Sequence, residues 1–311
     1  MIRPKASSYC YARLPKTGLG NMLLVWARAL VFAHLNNLPL LVSGWSQARV
    51  GPFLRRERSK RLYLNYFKNL NTISLFEKLI FIRTYNWVIE PDIAPLSSEQ
   101  HKASRSLYVF RETPHWSDYF YGIKGHRDFI REGLYHMLSQ KHYEKLSNLR
   151  RPVIGVHVRR GDFRELRPGE DISQSGLTRT PLNYFKNLID SIRALHSVEL
   201  PVTIFSDGSD DELNELLNMP NAYRSGENSD IVDLLLLSKS RIVITSRAST
   251  FSYWGAFLSD APVILHPDHR PPTHAPVRSL NINRTLFEGS VTGAAEMWPE
   301  LLVRNIKAIM P

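Results

Sequence analysis

The residue types that invite chemistry cluster where an apolar run stops. Val153-Ile154-Gly155-Val156-His157-Val158 is small or β-branched apart from His157 and follows Arg150-Arg151-Pro152, the pattern of a buried strand. It leads straight into Arg159-Arg160-Gly161-Asp162. Arginine is rarely buried without a partner. Ligands of open α/β sheets bind just beyond the carboxyl ends of strands, and a guanidinium grips phosphate through paired N–H donors. The chemistry predicted here is a clamp on a diphosphate. Asp162 has two open readings. It accepts the proton of an attacking hydroxyl, or it braces Arg159 or Arg160 by an ion pair. Glu165, Glu170 and Asp171 follow nearby. His157 is either a hydrogen-bonded core histidine or, beside the arginines, a site residue.

Two further groups belong to the same constellation. Asp230 and Asp233 stand one helical turn apart, so they share a face. A carboxylate such as Asp233 can accept the two adjacent N–H groups of a guanine edge. Ser249-Thr250-Phe251 opens a helix after Ile244-Thr245-Ser246. A helix start offers free N–H groups and partial positive charge to a phosphate. Asp207 reads equally as a cap or a ribose contact, and Arg247 as a surface residue or a phosphate contact. There is no Asp-x-Asp pair, no His-Glu-x-x-His and a single cysteine, Cys10. That is consistent with a site that needs no metal cofactor.

These residues need elements to hold them. Tyr9–Leu14 is predicted as a strand, followed by a turn with Gly18 and Gly20, a helix over Met22–Asn36 and a strand over Leu38–Val42, a βαβ unit. Gly18-x-Gly20 lacks the third glycine of a dinucleotide fingerprint, so a plain turn and a ligand loop stay equally open. Residues 62–150 are aromatic-rich and less regular, with helices expected over Phe129–Leu138 and His142–Leu149. From Val153 onward short strands alternate with helices: Pro181–Leu195, Val202–Phe205, Asp211–Asn218, Asp230–Ser240, Ile242–Ile244, Phe251–Leu258 capped by Ser249-Thr250, and Pro262–His266 closing the sheet. That alternation predicts a parallel, doubly wound domain. A last helix is expected over Leu301–Ile309. The domain reading is 1–150, 151–295 and a tail, 296–311, set back on the N-terminal domain.

The 311 residues carry a formal net charge of +11, and the first acidic residue is Glu57. Such a field favours anionic partners. The run Arg55–Arg61 is a solvated face or a contact to an anionic membrane or a lipid-linked acceptor. The apolar stretch 22–41 contains Arg28, His34, Asn36, Asn37 and Pro39, which fits a helix and strand rather than a membrane span. A cytoplasmic, bacterial-type protein with peripheral contact at the inner membrane face is expected.

Three motifs in order, Gly18-Leu19-Gly20-Asn21, His157-Val158-Arg159-Arg160-Gly161-Asp162, and Asp233–Ser238 followed by Ser249-Thr250-Phe251-Ser252-Tyr253-Trp254-Gly255-Ala256, resemble the inverting α1,2-fucosyltransferases. The resemblance implies a GT-B architecture, two Rossmann-like α/β domains facing a cleft. It implies GDP-β-L-fucose as donor, no metal, and transfer with inversion, in α1,2 members to O-2 of a terminal galactose on an oligosaccharide or lipid-linked glycan. Carried onto this sequence, Arg159 grips the diphosphate and His157 sits beside the nucleotide. Asp233 holds guanine, Ser249, Thr250 and Phe251 meet phosphate and nucleotide, and Gly18, Gly20 and Asn21 line the N-terminal loop. Thr17, Met22, Ala248 and Tyr253 depart from the usual Gly, Gln, Asn and Trp. The competing readings are a fucosyltransferase of α1,6 or protein O-linkage, or a non-catalytic GDP-sugar- or nucleic-acid-binding protein. Dispersed charge and the lack of an aromatic-basic module speak against nucleic acid.

Overall fold

A computed structural model describes residues 6–45, 63, 65–68, 72–102, 105–114, 119–120, 122–269 and 285–310. These fall into two compact units, one ending at Ser139 and the other running on from Gln140. The basic run Arg55–Arg61, Trp116 and Tyr121 lie outside the described residues.

The first unit is built on a four-stranded parallel sheet. Its elements are β1 (Tyr9–Ala12), α1 (Leu19–Leu35), β2 (Leu40–Val42), α2 (Leu75–Thr84), β3 (Asn86–Ile89), α3 (Ser98–Lys102), β4 (Ser106–Phe110) and α4 (Arg127–Met137). The strand order is β2-β1-β4-β3. β1 and β4 are buried along their whole length, as central parallel strands must be. α1 packs on β1 and β4 and is buried on nearly every side, which explains why its sequence looks like a membrane segment. Among the described residues no helix is long and apolar enough to cross a membrane. Many of the aromatic residues of this half are core: Trp45 packs on Trp26 and Phe67 with ring centroids 6.3 and 4.3 Å apart.

The second unit has six parallel strands in the order β10-β9-β8-β5-β6-β7. They are β5 (Ile154–Val158), β6 (Val202–Ser206), β7 (Ala222–Arg224), β8 (Ile242–Ile244), β9 (Val263–Ile264) and β10 (Glu288–Gly289). The helices are α5 (Gln140–Asn148), α6 (Leu182–His196), α7 (Asn214–Leu217), α8 (Asp230–Ser238), α9 (Thr250–Phe257) and α10 (Glu300–Lys307). The sheet therefore does not close at Pro262–His266. A further strand, β10, pairs with β9 through Glu288↔Val263.

β5 sets the two faces by alternation. Ile154, Val156 and Val158 join Phe185, Leu188 and Ile189 of α6 and Leu302 and Ile306 of α10 in one core. Gly155 and His157 point the other way, towards α8 and α9. Glycine at 155 is a packing requirement: a Cβ there would meet Ser240 Oγ and lie 2.8 Å from Ser240 Cβ. Gly255 of α9 is similar, since its Cβ would lie 2.5 Å from Leu237 Cδ2. The tail helix α10, read from sequence as set on the N-terminal domain, has its apolar face against α6. α5 packs on α8 and belongs with the second unit.

Candidate active site

Both sheets are doubly wound, and each has one place where the chain order reverses. In the second unit the chain runs outward from β5 to β6 and β7, then returns to β8 on the other side of β5. The crevice beyond the carboxyl ends of β5 and β8 is the position where such sheets bind ligands. His157-Val158-Arg159 ends one of these strands and Thr245-Ser246 follows the other. The helix α9 then starts at Thr250, with no acidic residue in its first turn.

The strand end is fastened by a ring of hydrogen bonds. The Arg159 N–H donates to Ser246 Oγ at 2.8 Å, and Ser246 Oγ donates to the His157 carbonyl at 2.7 Å. The Ser246 N–H donates to Ser252 Oγ at 3.1 Å, which lies 2.7 Å from His157 Nδ1. The Phe251 ring stacks on the imidazole, centroids 4.7 Å apart and planes 22° apart. His157 is thus both a buried, hydrogen-bonded histidine and a neighbour of the arginine pair.

The Arg159 guanidinium is held between two carboxylates, Asp207 and Asp162, and lies 5.3 Å from the Phe163 ring centroid. Asp207 also accepts the Arg160 N–H at 2.8 Å. Through these bonds Asp207 ties both arginines to the end of β6. The bracing reading of Asp162 is the one its observed ion pair satisfies.

Arg160 and Arg247 are buried and face backbone. Arg160 Nη1 donates to the Thr180 carbonyl at 2.9 Å. Arg247 donates through Nη1 to Gly176 O and through Nη2 to Ser175 O, both at 2.7 Å, and through Nε to Asp268 O at 3.2 Å. Its N–H meets Thr180 Oγ1 at 3.1 Å. Arg179 Nε reaches the Phe163 carbonyl at 2.9 Å. Arg247 is therefore not a surface residue. Three arginines pin the 163–180 segment that follows Asp162.

Asp233 sits in the first turn of α8 with Asp230 and accepts from Asn228 Nδ2 at 2.9 Å. α8 packs on α9 and β5, which ties Asp233 to the same strand end through helix packing. Ser249 is the residue before α9, but its side chain makes no cap bond, contrary to the cap expected from sequence. In the first unit α1 begins at Leu19, earlier than expected. Gly18 is the residue before it, in an extended conformation at φ −60, and Gly20 and Asn21 lie in the first turn. The Leu19 N–H is taken by the Tyr63 hydroxyl at 2.8 Å.

Burial pushes the His157 imidazole down to about 3, with Arg159 adding to the effect. His266 is pushed down to about 4, mainly by burial, with Arg247 lowering it further and Asp268 working against both. Unfolded, both titrate near 6.5. Below that pH the unfolded chain takes up protons that the folded chain refuses, so stability present at neutral pH is lost as pH falls. Each histidine removes about 2 kcal/mol by about pH 5. The midpoint of thermal unfolding should therefore drop between about pH 7 and about pH 5; equal midpoints would rule out neutral burial of both rings.

Among the described residues no group of three or more His, Cys, Asp or Glu side chains is arranged to hold a metal.

Residues 70–266 match the profile of Glycosyl transferase family 11. The chain belongs to this family. The matched span takes in the β5 strand end, Asp233 and the start of α9, and leaves out Gly18, Gly20 and Asn21. No curated protein matches the sequence. Among solved structures, the α-1,6-fucosyltransferase NodZ co-crystallised with GDP has 14% identity over 84% of this chain and 96% of its own, with a TM-score of 0.49; another NodZ structure names Bradyrhizobium as its source. POFUT1 with GDP has 13% identity over 84% and 99%, TM-score 0.48. An Arabidopsis thaliana FUT1 variant with GDP has 12% identity over 87% and 72%, TM-score 0.48.

In this family 11 glycosyltransferase the two departures next to the third motif answer each other. Ala248 is in the left-handed region at φ +53, where asparagine is at home and alanine is strained. Its N–H donates to the Tyr253 hydroxyl at 3.0 Å, an acceptor that the usual tryptophan would not supply.

Proposed function

We propose that this family 11 glycosyltransferase moves L-fucose from GDP-β-L-fucose to a glycan hydroxyl with inversion, and that the O-2 of a terminal galactose is the acceptor. The observation that carries the reading is Arg159, held at the end of β5 beside the start of α9. Together they offer a guanidinium and a helix N-terminus to one diphosphate. The acceptor hydroxyl oxygen attacks the anomeric carbon and releases its proton to water, the bond from that carbon to the diphosphate oxygen breaks, and the electron pair leaves with GDP. Donors already in place for the charge that develops on the leaving group lower the barrier, often by more than any other single contribution. Asp233 takes the guanine edge, and His157, Ser249, Thr250 and Phe251 line the phosphate and nucleoside. Asp162 keeps Arg159 in position.

Incubation with GDP-fucose and a panel of galactosides, following GDP release and product linkage, tests this. An α1,2-linked product is expected. No turnover with any acceptor would sink the catalytic reading, and a 6-linked product would replace the acceptor assignment.

A further inference from the structure

The hydrogen bonds around His157 have a direction that can be worked out proton by proton. A serine hydroxyl has one proton and two lone pairs, and a carbonyl can only accept. Ser246 Oγ faces the His157 carbonyl at 2.7 Å, so its proton goes there, and it accepts the Arg159 N–H. Its one proton is committed. Ser252 Oγ accepts the Ser246 N–H at 3.1 Å. Its own proton still needs an acceptor, and Ser252 is fully buried. Among the described residues the remaining partner of Ser252 Oγ is His157 Nδ1, 2.7 Å away.

If Nδ1 carried the ring proton, two N–H groups would point at Ser252 Oγ and the hydroxyl proton would be buried with nothing to bond. That arrangement costs about 1–3 kcal/mol. With Nδ1 as acceptor every group is satisfied and the single ring proton sits on Nε2. Nε2 makes no bond to the described residues. Burial and the adjacent Arg159 keep the ring neutral.

We propose that Ser252, oriented by Ser246, is a positioning residue that locks His157 as the neutral Nε2–H tautomer. His157 then offers a fixed N–H donor at the end of β5. It cannot accept the acceptor's proton, because its one free lone pair is turned inward to Ser252. That the N–H is directed at a donor oxygen rests on the fucosyl-transfer reading; the tautomer does not.

The test is ¹⁵N spectroscopy of the labelled chain, with His157→Asn identifying the signal. The expected result is a protonated Nε2 and an unprotonated Nδ1, unchanged from about pH 8 to about pH 5. Ser252→Ala should mix the tautomers and lower kcat roughly ten- to a hundredfold, while Ser252→Thr, which keeps the hydroxyl, should restore both. A wild-type Nδ1–H tautomer overturns the proposal, as does Ser252→Ala with tautomer and kcat both unchanged. The wild-type spectrum decides the matter even if Ser252→Ala does not fold. A confirmed tautomer without fucosyl transfer would sink the proposed function and leave this inference standing.

Discussion

Arg159→Ala should lose at least roughly a hundredfold in affinity for GDP, the scale of removing one partner from a hydrogen-bonded charge pair. The loss has two parts. The guanidinium proposed to meet the phosphates disappears, and Asp207 and Asp162, which now flank it, would be left as two carboxylates beside an incoming anion. Arg159→Lys keeps the charge but not the planar fork, so it should fall between wild type and alanine. The Arg159 backbone bond to Ser246 survives either change, which keeps the strand end in place. Titration calorimetry with GDP is the measurement; an affinity within twofold of wild type would remove Arg159 from the site. Asp162→Asn reads the neighbouring role in the same assay. A bracing carboxylate predicts weaker GDP binding. A fall in kcat with GDP affinity intact would make Asp162 the proton acceptor instead.

Gly155→Val should destabilise the second unit by about 3 kcal/mol or more. β5 lies between β6 and β8 and cannot move outward. Ser240 Cβ would be 2.8 Å and Leu237 Cδ1 3.1 Å from the first added carbon, and a valine adds two methyl groups beyond it. α8 would have to lift from the sheet, carrying Asp233 with it. Thermal unfolding should show a midpoint lower by roughly several degrees. Gly176→Ala, where an added Cβ meets nothing within 4 Å, is the matched control and should stay within about 0.5 kcal/mol. If Gly155→Val unfolds with the control, the close approach of α8 to β5 is not as described.

What the sequence revealed followed from local pattern. The β5 run, α1, α6 and α8 announce themselves by apolar periodicity, and the arginines after β5 are conspicuous because charge rarely follows a buried strand. β4 is not legible in the sequence: Ser106–Phe110 is buried throughout, yet five apolar-leaning residues inside an aromatic-rich stretch do not distinguish strand from helix by periodicity. β10 has two residues and exists through its pairing with β9, so it has no local signature. Ser246 and Ser252 have no signature of their own in the sequence, because what makes them matter is a strand end 95 residues from Ser252 in the chain. A usable signal was present at Gly155, since a glycine inside a buried strand marks a close backbone approach.

The segment from Phe163 to Thr180 has the polar, glycine-containing look of a flap, but Arg160, Arg179 and Arg247 hold its carbonyls. Ordering a free loop costs about 1–2 kcal/mol of conformational entropy per residue, a cost that would fall on whichever ligand closed it. Here folding has already met that cost, and two buried arginines are the means. If the donor binds as proposed, its free energy of binding can then go into contacts at the end of β5 rather than into freezing the wall beside it.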